Sequence, residues 1–347
     1  MPFERGNLAK TIPLLILGLL AFILYIIYFV DIQEMAEIFR QVDLFIYLIS
    51  LGSNVLEMIF FALAWQYFLN SLSVKIGFKK TFIYSWISNF VDLLVPAESL
   101  SGEVTRIFLI SREGIDAGKA TASVVIQRIL GMVLIIVGLL IGIIPLVIGN
   151  FFLNSLVQYL IILVMTAATL FLLIIVIICL RENWTRGIVN RLFMLLEIIG
   201  GRKWKIQEWR EKAFREVTAF HESIKIFGKR QTDLLLPIGF SLLAWLFGIS
   251  VYYIVFLAIG QKCLDWPVLF TVYSLVIAIK SIPVGVPAEV GVTEVAMTTL
   301  FGVFNVPLHI SAAATVLIRI NTVWFRFLAG FIATQWLGIK TVTGRKG

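Results

Sequence analysis

Apolar residues in this chain gather into long runs; they neither alternate nor form one narrow stripe. Residues 11–30, 122–148, 156–180 and 234–259 each reach the roughly 20 residues a helix needs to cross a bilayer. Residues 44–69 and 310–336 complete a set of six crossings. Two further apolar stretches fall short. Residues 81–95 stop at Pro96, and residues 268–286 are interrupted by Pro283 and Gly285 and stop at Pro287. Proline removes a helical donor and clashes with the preceding turn. The first stretch therefore suits a re-entrant hairpin or a surface-lying helix, and the second reads as re-entrant.

Composition sets the class. The chain of 347 residues is 60% hydrophobic and 14% charged, whereas soluble domains carry about 25% charged residues. A soluble enzyme is excluded. The first run lacks a small-residue cleavage site and leads into further spans, so it reads as a retained helix. The net charge of +8 is unevenly placed and reports topology, not a nucleic-acid partner. Arg5 and Lys10 precede the first run; Lys75, Lys79 and Lys80 follow the second; Arg106, Arg112 and Lys119 follow the first short segment; Lys340, Arg345 and Lys346 close the chain. Residues 181–233 hold twelve basic and seven acidic side chains. All these groups fall on one side only if neither short segment is a full span, which supports reading both as re-entrant. The expected fold is an all-α polytopic membrane protein of about six full spanning helices plus two re-entrant hairpins. Both termini are then cytoplasmic, and the expected location is the cell (plasma) membrane.

Residues 181–233 carry Leu192, Leu195, Leu196 and Ile199 beside Trp184, Trp204 and Trp209. An amphipathic helix lying on an anionic inner leaflet fits this composition. So does a solvated cytoplasmic helical hairpin, and the sequence leaves the two open.

A duplication underlies the pattern. Residues 95–104 match residues 286–295 at six of ten positions, an offset of 191. The same offset carries Ala122, Arg128 and Ile129 onto Ala313, Arg319 and Ile320, and residues 44–148 onto 235–339 without a gap. Identity elsewhere along this register is sparse. The expected organisation is one membrane domain over residues 1–347: repeat one at 44–148, a linking helix and basic segment at 149–234, and repeat two at 235–339. Charge topology sets the copies antiparallel. Inverted repeats with broken helices place a substrate site near the midplane, between the copies.

The polar residues of the repeats are the candidate site. Arg128 and Arg319 lie about two turns inside spanning helices, where an unpaired arginine costs several kcal/mol and marks function by default. The guanidinium fork suits a phosphate or a carboxylate. Arg106, Arg326 and Lys280 extend a basic lining, with Arg326 seven residues beyond Arg319 and on its face. Glu98, Glu103, Glu289 and Glu294 flank the breaks, as gating or proton-coupling groups, as partners of the arginines that lock the fold, or, for Glu103 and Glu294, as helix-terminal caps. Glu57 and Asp92 are further polar positions at membrane depth, in a site or paired locally. His221 and His309 lack a partner motif, and Cys179 and Cys263 show no metal or disulfide spacing. No catalytic, phosphate-loop or dinucleotide motif is found, so no cofactor and no enzymatic role are expected.

On residues 94–106, residues 122–128, the stretch Val290 to Glu294 and Leu317, Ile318 and Arg319, the chain resembles the flippase-like integral membrane family related to the membrane domain of lysylphosphatidylglycerol synthases. The resemblance covers about residues 44–339. Two departures stand out: Gln127 where the family often has an acid, and Ala288 and Glu289 where it often has two glycines. The family's aminoacyltransferase domain has no counterpart here, so aminoacyl-lipid synthesis is not implied. What the resemblance implies is movement of a lipid between leaflets, and the expected partner is a lipid with an anionic headgroup. A membrane enzyme acting on a lipid-linked sugar or phosphate, with Glu98 or Glu289 as general base, and a non-catalytic partner of a lipid-modifying enzyme are the rival expectations. Oligomeric state stays open.

Overall fold

The computed structural model describes residues 32–95, 100–149, 155–200, 206–229, 231–261, 264–281 and 286–342, with residues 20, 23, 24 and 27. Most of the expected first crossing, Glu98 with the rest of residues 96–99, and Cys263 lie outside the described residues. Within them all regular structure is helical: α1 (Ile32–Gln41), α2 (Leu44–Ser71), α3 (Phe78–Leu94), α4 (Leu100–Ser111), α5 (Ala117–Ile148), α6 (Ser155–Leu180) and α7 (Glu182–Gly200). There follow α8 (Ile206–Lys229), α9 (Leu235–Ala258), α10 (Trp266–Lys280), α11 (Val292–Val303), α12 (Leu308–Arg319) and α13 (Arg326–Val342). Among the described residues five stretches are long and apolar enough to cross a membrane: Leu44–Ser71, Ala117–Ile148, Ile161–Leu180, Gln231–Ala258 and Leu308–Gly338. The chain is an all-α polytopic membrane protein.

The helices start and stop where local chemistry directs. Asp43 caps α2, its carboxylate accepting from the Phe45 and Ile46 N–H groups at 2.9 and 3.1 Å. The last expected crossing is interrupted: Ile320–Phe325 is a π-helical turn joining α12 to α13. Such turns cluster at functional sites because they re-aim side chains.

Helix bounds follow the offset of 191. It maps the start of α2 onto the start of α9, and the start of α5 onto the start of α12; α3 and α4 fall within a few residues of α10 and α11. The equivalent helices α2 and α9 make the most extensive contact in the molecule and run antiparallel. The Asp43 N–H donates to the Ala258 carbonyl at one end, and the Ser71 hydroxyl to the Asp233 carbonyl at the other. Phe60 stacks between Phe240 and Phe247 midway. On one flank α10 packs on α5, and on the other α3 packs on α13. Glycines permit both approaches. A Cβ on Gly142 would run into Thr271, and one on Gly330 into Phe90 and the Trp86 carbonyl. Small residues at such crossings are how membrane helices gain packing, since burial from lipid drives little.

Helices α7 and α8 form an antiparallel hairpin, with Arg186 donating to Thr218 at 2.7 Å and Arg210 to Asn190. The hairpin docks on α5, whose Gly118 N–H donates to the Glu216 carboxylate at 2.6 Å. Trp184, Ile188, Leu192 and Leu195 stay exposed along one face of α7.

Candidate functional site

In repeat two the break follows Val286. Ala288 and Glu289 both adopt left-handed backbone, at φ 53° and 50°, which costs non-glycine residues about 1–3 kcal/mol each. Arg319 holds the break in place: Nη2 donates to the Ala288 carbonyl and Nε to Glu294 Oε1, both at 2.6 Å. Glu294 Oε2 accepts from the Gly291 N–H at 2.6 Å, so one carboxylate both caps α11 and neutralises the arginine. The Arg319 and Glu294 side chains are 5% and 7% exposed. Lys280 Nζ lies 3.9 Å from Glu289 Oε2, and the Thr293 hydroxyl donates to the same oxygen at 3.2 Å.

Repeat one divides these tasks among more residues. Arg128 Nη1 donates to Glu103 Oε1 at 2.9 Å, with the side chains 19% and 15% exposed. The cap of α4 is Asp92, which accepts from the Ser101 hydroxyl and the Gly102 N–H at 2.6 Å each. Asp92 thus pairs locally, and it also lines a cavity between the repeats. The buried Arg106 guanidinium lies over the Phe61 and Trp65 rings and donates to Gln127 Oε1 at 2.7 Å. Gln127, where the resembling family often carries an acid, is therefore the neutral acceptor of a buried cation.

A third polar line crosses between the repeats. Glu57 accepts from Arg326 Nη2 at 2.5 Å, and Asn54 Oδ1 from Arg326 Nε at 2.7 Å. Asn54 Nδ2 donates to Asn321, and Asn321 Nδ2 to the Ser50 hydroxyl. Arg326 and Arg319 thus serve different partners, on either side of the π turn. Ser50, Asn54 and Asn321 were not among the residues singled out from sequence. Their signal was the spacing of Ser50, Asn54 and Glu57, which puts three polar groups on one face of a spanning helix.

These groups surround a cavity of about 350 Å³ between the repeats, whose charged wall is Glu57, Asp92, Glu103, Arg106, Arg128 and Arg326. Lys280 and Arg319 line a smaller adjoining space of about 30 Å³, which shares Glu57, Tyr273 and Arg326 with the first. The five cations named (Arg106, Arg128, Lys280, Arg319, Arg326) face five carboxylates (Glu57, Asp92, Glu103, Glu289, Glu294), so the described site is charge-balanced. Arg106 Nε, Ser241 Oγ and Trp245 Nε1 are buried without a protein partner, and all three residues line the larger cavity. Orphan donors cost about 1–3 kcal/mol each unless a ligand or water accepts from them.

The histidines and the described cysteine lie elsewhere. His221 Nδ1 is 2.9 Å from the Val217 carbonyl, and His309 pairs with Glu34 at 2.8 Å. Cys179 is buried among α5, α6 and α8. Among the described residues no group of three or more potential ligands is placed to hold a metal.

Comparison with known proteins agrees with this architecture. The chain is similar to UPF0104 membrane proteins of Pyrococcus horikoshii (23% identity over 93% of this chain and 96% of the relative) and Methanocaldococcus jannaschii (24% over 94% and 95%). A third, from Methanothermobacter thermautotrophicus, is 23% identical over 95% and 96%. The family described as lysylphosphatidylglycerol synthase TM region matches residues 12–330, which take in α1 to α12 and the start of α13. By that match, the chain belongs to the lysylphosphatidylglycerol synthase TM region family of multi-pass membrane proteins.

Proposed function

We propose that this protein carries a lipid with an anionic headgroup, a phospholipid or a polyprenyl-phosphate-type lipid, between the leaflets of the cell membrane without changing it covalently. The observation that carries the reading is the cavity between the repeats, where arginines meet carboxylates and three donors lack partners. The antiparallel run of the equivalent helices α2 and α9 supports an inverted repeat. The broken pairs α3–α4 and α10–α11 are too short to be read as full crossings, which supports two re-entrant hairpins. The exposed apolar face of α7, beside a basic segment, supports contact with an anionic inner leaflet.

Charge balance shapes the mechanism. A balanced site takes up an anion largely by exchange: the phosphate takes the place of the Glu103 carboxylate on Arg128, with the unpartnered Arg106 Nε beside it. The displaced glutamate then turns to another cation or takes up a proton, and the second course couples translocation to protons. Arg106, fixed on two rings and a neutral amide, holds its charge in the cavity throughout.

The test uses purified full-length protein in phosphatidylcholine vesicles with fluorescent phosphatidylglycerol or fluorescent polyprenyl phosphate. Protection of half the label from a membrane-impermeant quencher should be lost, and Arg128→Gln should slow that loss at least tenfold. Equal rates in empty vesicles would overturn the reading. Appearance of a chemically altered lipid would replace it with an enzymatic one, with Glu289 as the candidate base.

A further inference from the structure

A second cavity, of about 460 Å³, lies on the other side of the Glu103–Arg128 pair. Its wall is largely apolar and includes Leu100 of α4, Val125 of α5, Phe171 and Ile175 of α6, and Phe220 of α8, with Thr185 of α7 at one end. Glu103 and Arg128 belong to both cavities, so this ion pair stands between them. The groove extends along α5 from Gly118 to Arg128, about 15 Å at the helical rise. Leu100 and Phe171 at its margin are exposed on the outside of the bundle.

We propose that this groove holds one hydrocarbon chain of the transported lipid while the lipid's phosphate meets Arg128, making the Glu103–Arg128 pair a door between a tail slot and a headgroup chamber. The inference rests on the translocase reading and adds where the lipid enters. Charge fixes the orientation of the occupant. At the Gly118 end every polar group is already engaged: Glu216 accepts from the Gly118 N–H, the Thr121 hydroxyl donates to the Ala117 carbonyl, and the Thr185 hydroxyl to the Ile178 carbonyl. Only the ion pair at the far end offers a charge that a ligand anion can use. The groove is continuous with the headgroup cavity at that point and nowhere else among the residues they share. An amphiphile with one charged end and an apolar tail matches this layout.

Among the described residues, the matching face of repeat two is filled. Thr121 and Val125 map onto Ala312 and Val316, and α1 packs along α12, where Glu34 pairs with His309 and Ile38 and Phe39 join the core. The Glu294–Arg319 pair is sealed. Both pairs are formed, but one borders a groove and its counterpart is enclosed, an inequality that alternating access requires of a single state; in the topology read from charge the accessible one faces the inner leaflet.

The experiment uses full-length protein in phosphatidylcholine vesicles containing phosphatidylglycerol with a diazirine midway along one acyl chain. Irradiation and peptide mapping should place label on residues 117–125 and 171–179 at several times the level on residues 158–170 of the same spanning helix. Val125→Trp and Ile175→Trp, which fill the groove from opposite walls, should each cut both groove labelling and transport at least fivefold. Label no denser in the groove than on residues 158–170 would mean bilayer contact only and would sink the tail slot. Transport that survives a filled groove would also sink it, while leaving translocation standing. Dense groove label without transport by the native protein would support the tail site and end the translocase reading.

Discussion

The two Glu–Arg pairs have the same separation in sequence and opposite surroundings. Glu103–Arg128 and Glu294–Arg319 each span 25 residues, at 2.9 and 2.6 Å. The second pair is almost fully enclosed, ties down two left-handed residues and caps its own helix. The first is about three times as exposed, leaves capping to Asp92, and borders two cavities. Duplication copied the residues, and what packs against them decides whether the pair is a lock or a door. In repeat two α1 packs along α12; in repeat one α8 docks on α5 at Gly118, and a groove remains between α4, α5, α6 and α8.

The sharpest break in this comparison is neutralising each arginine in turn. Arg319→Gln leaves Glu294 buried without its cation and frees the Ala288 carbonyl, and losing one partner of a buried pair costs about 3–5 kcal/mol. Full-length protein in detergent should lose most of its thermal resistance or fail to remain monodisperse. Arg128→Gln should cost less, about 1 kcal/mol, because Glu103 borders two cavities, yet slow lipid movement at least tenfold. Equal destabilisation by the two substitutions would erase the distinction between lock and door.

Both arginines and their partners Glu103 and Glu294 were legible in the sequence because charged residues are rare in a chain this apolar, and a shared offset is hard to miss. The spanning helices were legible for the same reason. What packing decides was not. The acceptor for Arg106 is a glutamine 21 residues away, and Asn54 meets Asn321 across 267 residues. No local pattern encodes such distances. The π turn was hidden too: heptad spacing put Arg326 on the face of Arg319, and the extra residue in the turn gave it Glu57 as partner. The groove is formed by how α4, α6 and α8 meet around α5, which no single segment records.

The cross-repeat line tests whether lock and door move together. Arg326→Met and Glu57→Gln, combined in a double-mutant cycle, should show coupling of about 0.5–3 kcal/mol in stability. Each single change should also alter transport, since both residues line the cavity and neither belongs to a duplicated pair. Independent effects would mean that the Glu57–Arg326 pair adds nothing to a joint already made by helix packing and the Asn54–Asn321 bonds. A smaller change sharpens the door side: Gln127→Glu gives Arg106 a charged acceptor, and charge-assisted bonds are about twice as strong as neutral ones. Stability should rise by about 1 kcal/mol while transport of an anionic lipid falls, because a cavity cation hydrogen-bonded to a neutral amide is then satisfied from within.

The mildest contrast lies at the turn between α4 and α5. Glu113 accepts from Lys80 at 2.7 Å and from the Tyr84 hydroxyl at 2.5 Å. At the equivalent places repeat two has Phe304, Thr271 and Leu275, all buried, with nothing to titrate. Partial burial pushes the Glu113 carboxyl up, but the two hydrogen bonds and the Lys80 charge outweigh it and hold the group below its ordinary value. A carboxyl lowered on folding stabilises above its unfolded value, about 4.3, and that contribution fades as pH falls through the folded value. The pair is partly exposed, at 46% for Lys80 and 30% for Glu113, so solvent screening limits the effect to a few tenths of a kcal/mol. Glu113→Gln should therefore lower thermal stability slightly at pH 7, and the gap should close below about pH 4. A gap that persists there would show that the turn is held by shape rather than charge, and that the two repeats end alike.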